Sequence, residues 1–417
     1  MKFSSLHIRG WRQFDSIKID FHPRITIITG ANGAGKSTLL KILSQHFGWD
    51  NNLLATPVIS KDGNKNFLSG IFKRLFEKDN NASSNNIGKL VYSNGHQSDL
   101  SVPENNSIQY TVQIQNQIPL SGLHINSHRP IPAYQQVANI PLHPIKAEVA
   151  YNTYFSETIS RYRNSHTQYG PIYRMKEALI SMAIFGVGNE NIPRNSEVEK
   201  LLIDFKSILS KILPSSIGFK DISVRIPDVV IVTDTGNFVL DAASGGLMSL
   251  IDLAWQIFLY SHDKDEFCVI FDEPENHLHP AMQRSLVRKL LDAFPKAQFI
   301  LATHSPFIVS SVKDSAVYVL KYDDVDGQVQ TGISSRVSSM KLDNINKAGT
   351  ASEILRDVLG IPVTLPEWAE AELHNISTQF KINNINAETI SALRTQLNQA
   401  GLGEYYPDAL KQIAEQK

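Results

Sequence analysis

Residues 30–37 read Gly-Ala-Asn-Gly-Ala-Gly-Lys-Ser and fill the phosphate-loop pattern GxxxxGK[ST] at every position. Glycines at Gly30, Gly33 and Gly35 let consecutive backbone N–H groups, including those of Ala31, Asn32 and Ala34, turn towards one anion. The start of the following helix, at Lys36, Ser37 and Thr38, adds positive potential. Lys36 would neutralise terminal phosphate oxygens, and the Ser37 hydroxyl would ligate Mg²⁺. A second constellation lies far along the chain, where the apolar run Cys268-Val269-Ile270-Phe271 ends in Asp272 and Glu273. In a phosphate-loop protein the first carboxylate belongs near Mg²⁺ and the second can polarise an attacking water. An Asp-Glu-Pro after a strand also reads as a solvated strand end; joined to the loop, it reads as chemistry.

The elements that must position these groups alternate along the chain. Leu6–Ile8, Ile17–Phe21 and Ile25–Ile28 read as strands, and Lys36–Phe47 as a helix. The stretch 51–116 is rich in Asn, which favours turns. It reads as an antiparallel β-subdomain, with runs near Lys89–Ser93 and Ile108–Ile114 and a mobile loop near Asp79–Asn86. Pro130, Pro132, Pro141 and Pro144 mark an extended segment. Helical patterns follow at Tyr151–Arg163, Tyr173–Phe185 and Ser196–Leu213, then a hairpin through Asp234–Asn237. Helix Gly246–Tyr260, strand Phe267–Phe271, helix Pro280–Phe294 and strands Gln298–Ala302 and Ala316–Lys321 predict a mostly parallel α/β sheet with helices on its faces. The last ~70 residues read as short helices.

Composition bounds the answer. The chain has 417 residues, 42% of them hydrophobic, enough for a sizeable core in two or three structural units. Forty basic against 41 acidic residues give net charge −1, excluding a globally basic nucleic-acid coat but not a local patch. Cys268 stands alone, so no intramolecular disulfide is available and a reducing compartment fits. The first residues lack the apolar core of a secretory signal. The most apolar stretch, Leu247–Tyr260, is too short to span a bilayer. A cytoplasmic protein is expected.

Two further features complete a set. Ser244-Gly245-Gly246 precedes a helix upstream of Asp272, and Thr303-His304-Ser305 follows an apolar run downstream of Glu273. Each alone is weak, a helix-start turn and a structural histidine. In this order and spacing they resemble the ABC-type ATPase head: Walker A, signature, Walker B with catalytic Glu, D-loop and switch His. The strings Leu6-His7-Ile8-Arg9-Gly10-Trp11-Arg12-Gln13-Phe14, Glu273-Pro274-Glu275-Asn276-His277-Leu278-His279-Pro280 and Ala302-Thr303-His304-Ser305-Pro306 resemble the RecF/SMC-like and overcoming-lysogenization-defect branch, and stand-alone ATPases of prokaryotic defence operons. The resemblance covers residues 1–50 and 235–335 well and the middle loosely.

That resemblance implies a P-loop ATPase head over 1–335, with a β-rich insertion at about 51–125 and a helical lobe at about 150–215, then a helical partner-binding extension over 336–417. ATP and Mg²⁺ would be bound by residues 30–38, with Ser37 and Asp272 on the metal. Glu273 would act as base and His304 would hold the γ-phosphate and water. Ser244, Gly245 and Gly246 would complete the site of a second head in trans, making a homodimer or higher even oligomer around ATP. Gln135 or Gln136 stands where the family places a metal-sensing glutamine, though either reads equally as a surface amide in a Pro-rich loop, and Arg129 is a rival for phosphate sensing. Arg9, Trp11 and Arg12 could meet the adenine and ribose, though Trp11 reads equally as packing. A separately encoded effector, a nuclease or toxin in antiviral defence, is the implied partner; a RecF-like DNA-binding maintenance factor is the alternative.

Three features read as bland. Asp324-Val325-Asp326-Gly327 matches Asp-x-Asp but reads as a hairpin turn between Val317–Lys321 and Val329–Thr331, and no nuclease is expected in the ~80 residues after the core. Arg161, Arg163, His166, Arg174 and Lys176 are either a nucleic-acid surface or, by preference, a solvated helix face. His277 and His279 lack the ligand cluster of a metal site.

Overall fold

In a computed structural model, the described residues are 1–49, 51–59, 65–68, 85–103, 107–127, 133–324, 335–359, 366–380 and 386–415. They form two compact units, Met1–Ala351 and Ser352–Lys417.

The first unit opens with a hairpin of β1 (Phe3–Trp11) and β2 (Phe14–Asp20), in register Leu6 to Ile19, Ile8 to Ile17 and Trp11 to Phe14. Alternation puts these apolar side chains on one buried face. Strand β3 (Ile25–Gly30) is buried along its whole length and leads through the glycine loop into α1 (Lys36–Ser44). Short strands then follow as β4 (Leu53–Leu54), β5 (Thr56–Ile59), β6 (Lys65–Leu68), β7 (Asn86–Tyr92), β8 (Gln97–Ser101), β9 (Gln109–Tyr110), β10 (Gln113–Gln115) and β11 (Gly122–Ile125). Next are α2 (Ala147–Tyr162), α3 (Pro171–Val187) and α4 (Ser196–Ile212). The small sheet of β12 (Phe219–Arg225), β13 (Asp228–Thr233) and β14 (Phe238–Val239) precedes α5 (Gly245–Ser261). The unit continues with β15 (Phe267–Asp272), α6 (Pro280–Ala293), β16 (Ala297–Ala302), α7 (Pro306–Val309), β17 (Ala316–Asp324), β18 (Ser335–Lys341) and α8 (Asn344–Lys347).

Among the described residues the main sheet runs β10-β8-β7-β1-β2-β18-β17-β3-β16-β15-β11. Only β17-β3-β16-β15-β11 and the β18–β2 pair are parallel. The expected mostly parallel sheet is therefore a mixed one. The described strands of the insertion at 51–125 pair antiparallel except β11, and β7, β8, β10 and β11 join the sheet of the head. β7 pairs with β1, and Ile87, Leu90 and Tyr92 join the same core as Leu6, Ile8 and Phe14, so hydrophobic burial fuses the insertion to the head. At its far end β11, absent from the expected strands, lies parallel to β15 with Ile125 opposite Phe271.

The boundary expected after residue 335 also moves. Ser335–Lys341 pairs with both β17 and β2, which carries the head to residue 351. Asp324 stands opposite Ser335 in this antiparallel pair, while 325–334, with the rest of the Asp-x-Asp string and the run at 329–331, lie outside the described residues. Most of the loop expected near 79–86 lies outside them too, Asn86 opening β7.

The second unit follows a short helical turn, α9 (Ala351–Glu353). It contains α10 (Glu367–Thr378), α11 (Ala387–Gln399) and α12 (Tyr406–Glu415). Asn386 and Thr389 form a capping box that starts α11. Leu373, Ile376, Leu393, Leu397 and Ile413 form this unit's own apolar core. Among the described residues no helix is long and apolar enough to cross a membrane.

Candidate functional site

The carboxyl ends of the parallel strands carry the phosphate loop. Gly30 has φ 141°, and a Cβ there would lie 2.4 Å from the Leu320 carbonyl oxygen on β17. Gly35, at φ 96°, would drive a Cβ into the Gln13 amide and the Phe14 ring. Lys36 Nζ donates to the Gly30 and Ala31 carbonyls, both at 3.0 Å. Burial pushes its pKa down from 10.5 to about 8, against the opposing pull of Glu273, Asp272 and Glu275. The β1–β2 turn touches the loop through Gln13, whose Nε2 donates to the Gly33 carbonyl at 3.5 Å. Arg12 sits in that turn at φ 52°, its guanidinium 5.9 Å from the Trp11 ring centroid. Trp11 itself is fully buried beside Phe14, which makes it core packing, and Arg9 is exposed.

Asp272 closes β15, with the Ser37 hydroxyl beside its carboxylate. Burial raises the Asp272 pKa, Glu273 adds to the rise, and Ser37 and Lys36 oppose it. Glu273 turns the chain at φ 49°, its amide donating to the Ala302 carbonyl at 2.8 Å. A non-glycine residue held in this left-handed region is strained by ~1–3 kcal/mol and persists only where its surroundings fix it. Here Asn276 Nδ2 donates to Glu273 Oε2 at 2.9 Å and to the Ser127 carbonyl at 3.2 Å. His304 Nε2 stands 3.9 Å from Glu273 Oε1. Burial and the Lys36 charge hold the His304 pKa below its ordinary value, favouring a neutral ring.

Glu275 and Asn276 are the positioning residues that the motif order left unassigned. Glu275 Oε1 accepts from Thr303 Oγ1 at 2.6 Å, the His304 amide at 2.8 Å and the Ser305 amide at 3.2 Å. One carboxylate oxygen thus fixes the backbone of the histidine loop. Burial raises its pKa, and its Oε2 is buried without a hydrogen-bond partner. The signal in the sequence was a third acidic residue inside a turn that already held two.

The signature residues sit elsewhere on the head. Ser244 caps α5 with its backbone, Met248 N donating to its carbonyl at 2.8 Å, but its hydroxyl makes no cap hydrogen bond. Ser244 and Gly245 are exposed, and a Cβ on Gly245 would meet open space. A Cβ on Gly246 would lie 2.9 Å from the His277 carbonyl, so close packing on the loop after Glu273 requires that glycine. Among the described residues no hydrogen bond joins Ser244 or Gly245 to residues 30–38.

Gln135 is corrected as a metal candidate. Its Nε2 donates to the Gln168 carbonyl at 3.0 Å and its Oε1 accepts from the Gly170 amide at 3.2 Å, so both ends of the amide tie loops together. Gln136 is exposed, and Arg129 lies outside the described residues. The segment beside Asp272 is instead the end of β11, where Asn126 and Ser127 follow Ile125. The basic cluster on the helices divides: Arg161, Arg163 and His166 are exposed, as a solvated face would have them, whereas the other two members are internal ties. Lys176 is fully buried, 2.7 Å from Asp241 Oδ2 and 3.7 Å from Asp228 Oδ1, and Arg174 pairs with Glu157 and Glu177. His279 caps α6, its Nδ1 accepting from the Ala281 amide. Among the described residues no group of three or more His, Cys, Asp or Glu is arranged to hold a metal.

A glycine loop at a helix N-terminus, with lysine, serine and two carboxylates around it, has the donors and acceptors that nucleotide hydrolysis needs. Residues 1–309 match the family described as the AAA ATPase domain. The chain belongs to that family. Septu protein PtuA of Bacillus mycoides (strain KBAB4) is 23% identical over 378 residues, covering 88% of this chain and 46% of that protein. Septu protein PtuA of Bacillus thuringiensis is 28% identical over 201 residues, 44% of this chain and 47% of that one. The retron Ec83 probable ATPase of Escherichia coli is 22% identical over 420 residues, covering 83% of this chain and 76% of that protein. The chain spans about half the length of the PtuA relatives it matches. Among solved structures, the SMC head domain from Thermotoga maritima aligns with TM-score 0.43 and 16% identity, over 82% of this chain and 100% of that one. The ATPase expectation from the motifs and the family match agree.

Proposed function

We propose that this AAA-family ATPase is a nucleotide-driven switch that closes head to tail around ATP and regulates a separately encoded effector, a nuclease or toxin, in antiviral defence in the cytoplasm. The observation that carries the catalytic part is the neighbourhood of Lys36, Asp272, Glu273 and His304 at the ends of β3, β15 and β16, with Glu273 fixed by Asn276. Residues 30–38 hold the triphosphate, and Lys36 meets its terminal oxygens. The Ser37 hydroxyl and Asp272 carboxylate are the hard oxygen donors that Mg²⁺ takes together with substrate phosphates. When bound, the ion supplies neutralisation of charge on the phosphates. Glu273 orients the attacking water and accepts its proton, and neutral His304 hydrogen-bonds the water or the γ-phosphate. Arg12, on the turn beside the loop, is the adenine-side candidate.

The dimeric part is supported by the exposed Ser244 and Gly245, whose hydroxyl and amides stand at the N-terminus of a 17-residue helix, a ready anion ligand. Defence and an effector partner rest on the resemblance of the motif strings and on the kind of relatives the chain matches. The helical unit after residue 351 is the candidate partner surface.

Glu273→Gln tests the scheme. It is expected to keep ATP binding, to lose turnover and to raise the mass of the ATP-bound species to that of an even oligomer. Hydrolysis at the parent rate would remove the role given to this carboxylate. A monomeric ATP-bound variant would remove the signature in trans.

A further inference from the structure

A cavity of about 300 Å³ lies in the first unit between the end of β11, α2 and α5, with Trp49 on one side. Trp49, Tyr154, Phe155 and Tyr162 give it aromatic surfaces, set among polar side chains. Trp49 stands edge-on to His124, Phe155 and Tyr162, with centroids 5.3, 6.0 and 5.4 Å away. That volume falls at the lower end of the ~300–1,000 Å³ of sites that take small molecules.

Two buried polar atoms of the residues lining it have no hydrogen-bond partner, Trp49 Nε1 and His124 Nδ1. His124 is only 5% exposed. Its Nε2 faces Asn126 Oδ1 at 2.9 Å, and because that oxygen can only accept, Nε2 carries the proton. Burial pushes the His124 pKa down to about 4, which keeps the ring neutral. Nδ1 is therefore a lone-pair acceptor, and Trp49 Nε1–H is a donor. Buried polar groups left unmatched are uncommon and call for a reason. A donor and an acceptor between aromatic faces match a flat heteroaromatic ring that carries an acceptor and an N–H on its edge. The lining also includes the Asp252 carboxylate, held by Gln256 Nε2 at 3.0 Å, and the exposed guanidinium of Arg161.

We propose that this cavity binds the base of a purine nucleotide, ring among the aromatic walls and edge on Trp49 and His124, with the phosphate outward at Arg161. This site is separate from residues 30–38. It adjoins the catalytic centre through the main chain, because His124 is followed by Asn126 and by Ser127, whose carbonyl takes the same Asn276 amide that holds Glu273. An occupied cavity fixes the end of β11 and with it the anchor of Glu273, so the ligand regulates turnover. Binding stands apart from the ATPase scheme; only this regulatory consequence rests on it.

The test uses full-length Lys36→Ala protein, so that the phosphate loop does not mask the cavity, titrated with AMP and with GMP by calorimetry and by tryptophan fluorescence. Saturable binding of one purine monophosphate per chain is expected below about 1 mM. Trp49→Phe keeps an aromatic wall but removes the N–H, and should weaken binding about tenfold, the worth of one buried hydrogen bond. Arg161→Ala should weaken the monophosphate but not the nucleoside. Unliganded melting curves that match the parent establish that these variants are folded. No saturation by either nucleotide, or equal affinity in the Trp49→Phe protein, overturns the proposal. Loss of ATP binding in Lys36→Ala reports on the phosphate loop, and loss of monophosphate binding in Trp49→Phe reports on the cavity, so the two readings fail separately.

Discussion

Removing the Glu275 side chain should separate the anchoring of His304 from the chemistry of Glu273. In Glu275→Ala three donors lose their acceptor: the Thr303 hydroxyl and the His304 and Ser305 amides, at 2.6, 2.8 and 3.2 Å. Hydrogen bonds to a charged group are worth ~1.5–3 kcal/mol each, and the longest of these about 1. Relief of a buried carboxylate with an unpartnered Oε2 offsets part of that loss. A net destabilisation of ~2–4 kcal/mol follows, read as a lower midpoint in denaturant at unchanged slope. With the histidine loop released, kcat should fall ~10–100-fold while KM for ATP moves little, since Glu275 touches no residue of the phosphate loop by hydrogen bond. Glu275→Gln keeps a carbonyl oxygen for the same donors and should stay within ~1 kcal/mol of the parent. Burial holds the Glu275 carboxyl above its ordinary pKa, so the native state keeps that proton longer than the unfolded chain does. The parent therefore loses stability relative to the Gln variant as pH rises through that interval. An Ala variant with parental kcat would refute the anchoring role. A Gln variant as damaged as Ala would show that the charge, rather than the acceptor, is what the loop uses.

Three other outcomes are expected. Lys36 is held at about pKa 8 against 10.5 when unfolded, so between those values the unfolded chain binds the extra proton, and this group's contribution to stability rises with pH. ATP affinity should move the other way, weakening above about pH 8 with uptake of a proton on binding, which calorimetry in buffers of different ionisation enthalpy would detect. Lys176→Met leaves Asp241 buried without its cation and should cost ~3–5 kcal/mol, with Lys176→Met/Asp241→Asn recovering part of it in urea unfolding. Equal damage in the single and double variants would show that the pair is not coupled.

The phosphate-loop string and the strand ends around it were legible in the sequence because they are local. One unbroken string makes the phosphate loop, and glycine at Gly30 and Gly35 is required by backbone angles and neighbours that the motif already encodes. Strand β15 and its two carboxylates, α5 behind Ser244 and β16 before His304 could be read because apolar period and punctuation are properties of short windows. What tertiary structure alone decided is every pairing between distant segments. Nothing near Gly122 announces that a short strand will lie beside β15, or that β7 will extend the sheet that holds the loop. Gln135 and Lys176 looked like a ligand and a surface charge; loop hydrogen bonds occupy the amide of the first, and burial beside Asp241 makes the second an internal tie. The Asn276 amide joins Ser127, remote in the chain, to Glu273, one turn away, and only the closed fold could bring those partners to one group. Residue type and spacing therefore set which groups can react. Long-range packing, in which buried apolar surface offsets the entropy of joining remote segments, set which of them are held still enough to do so.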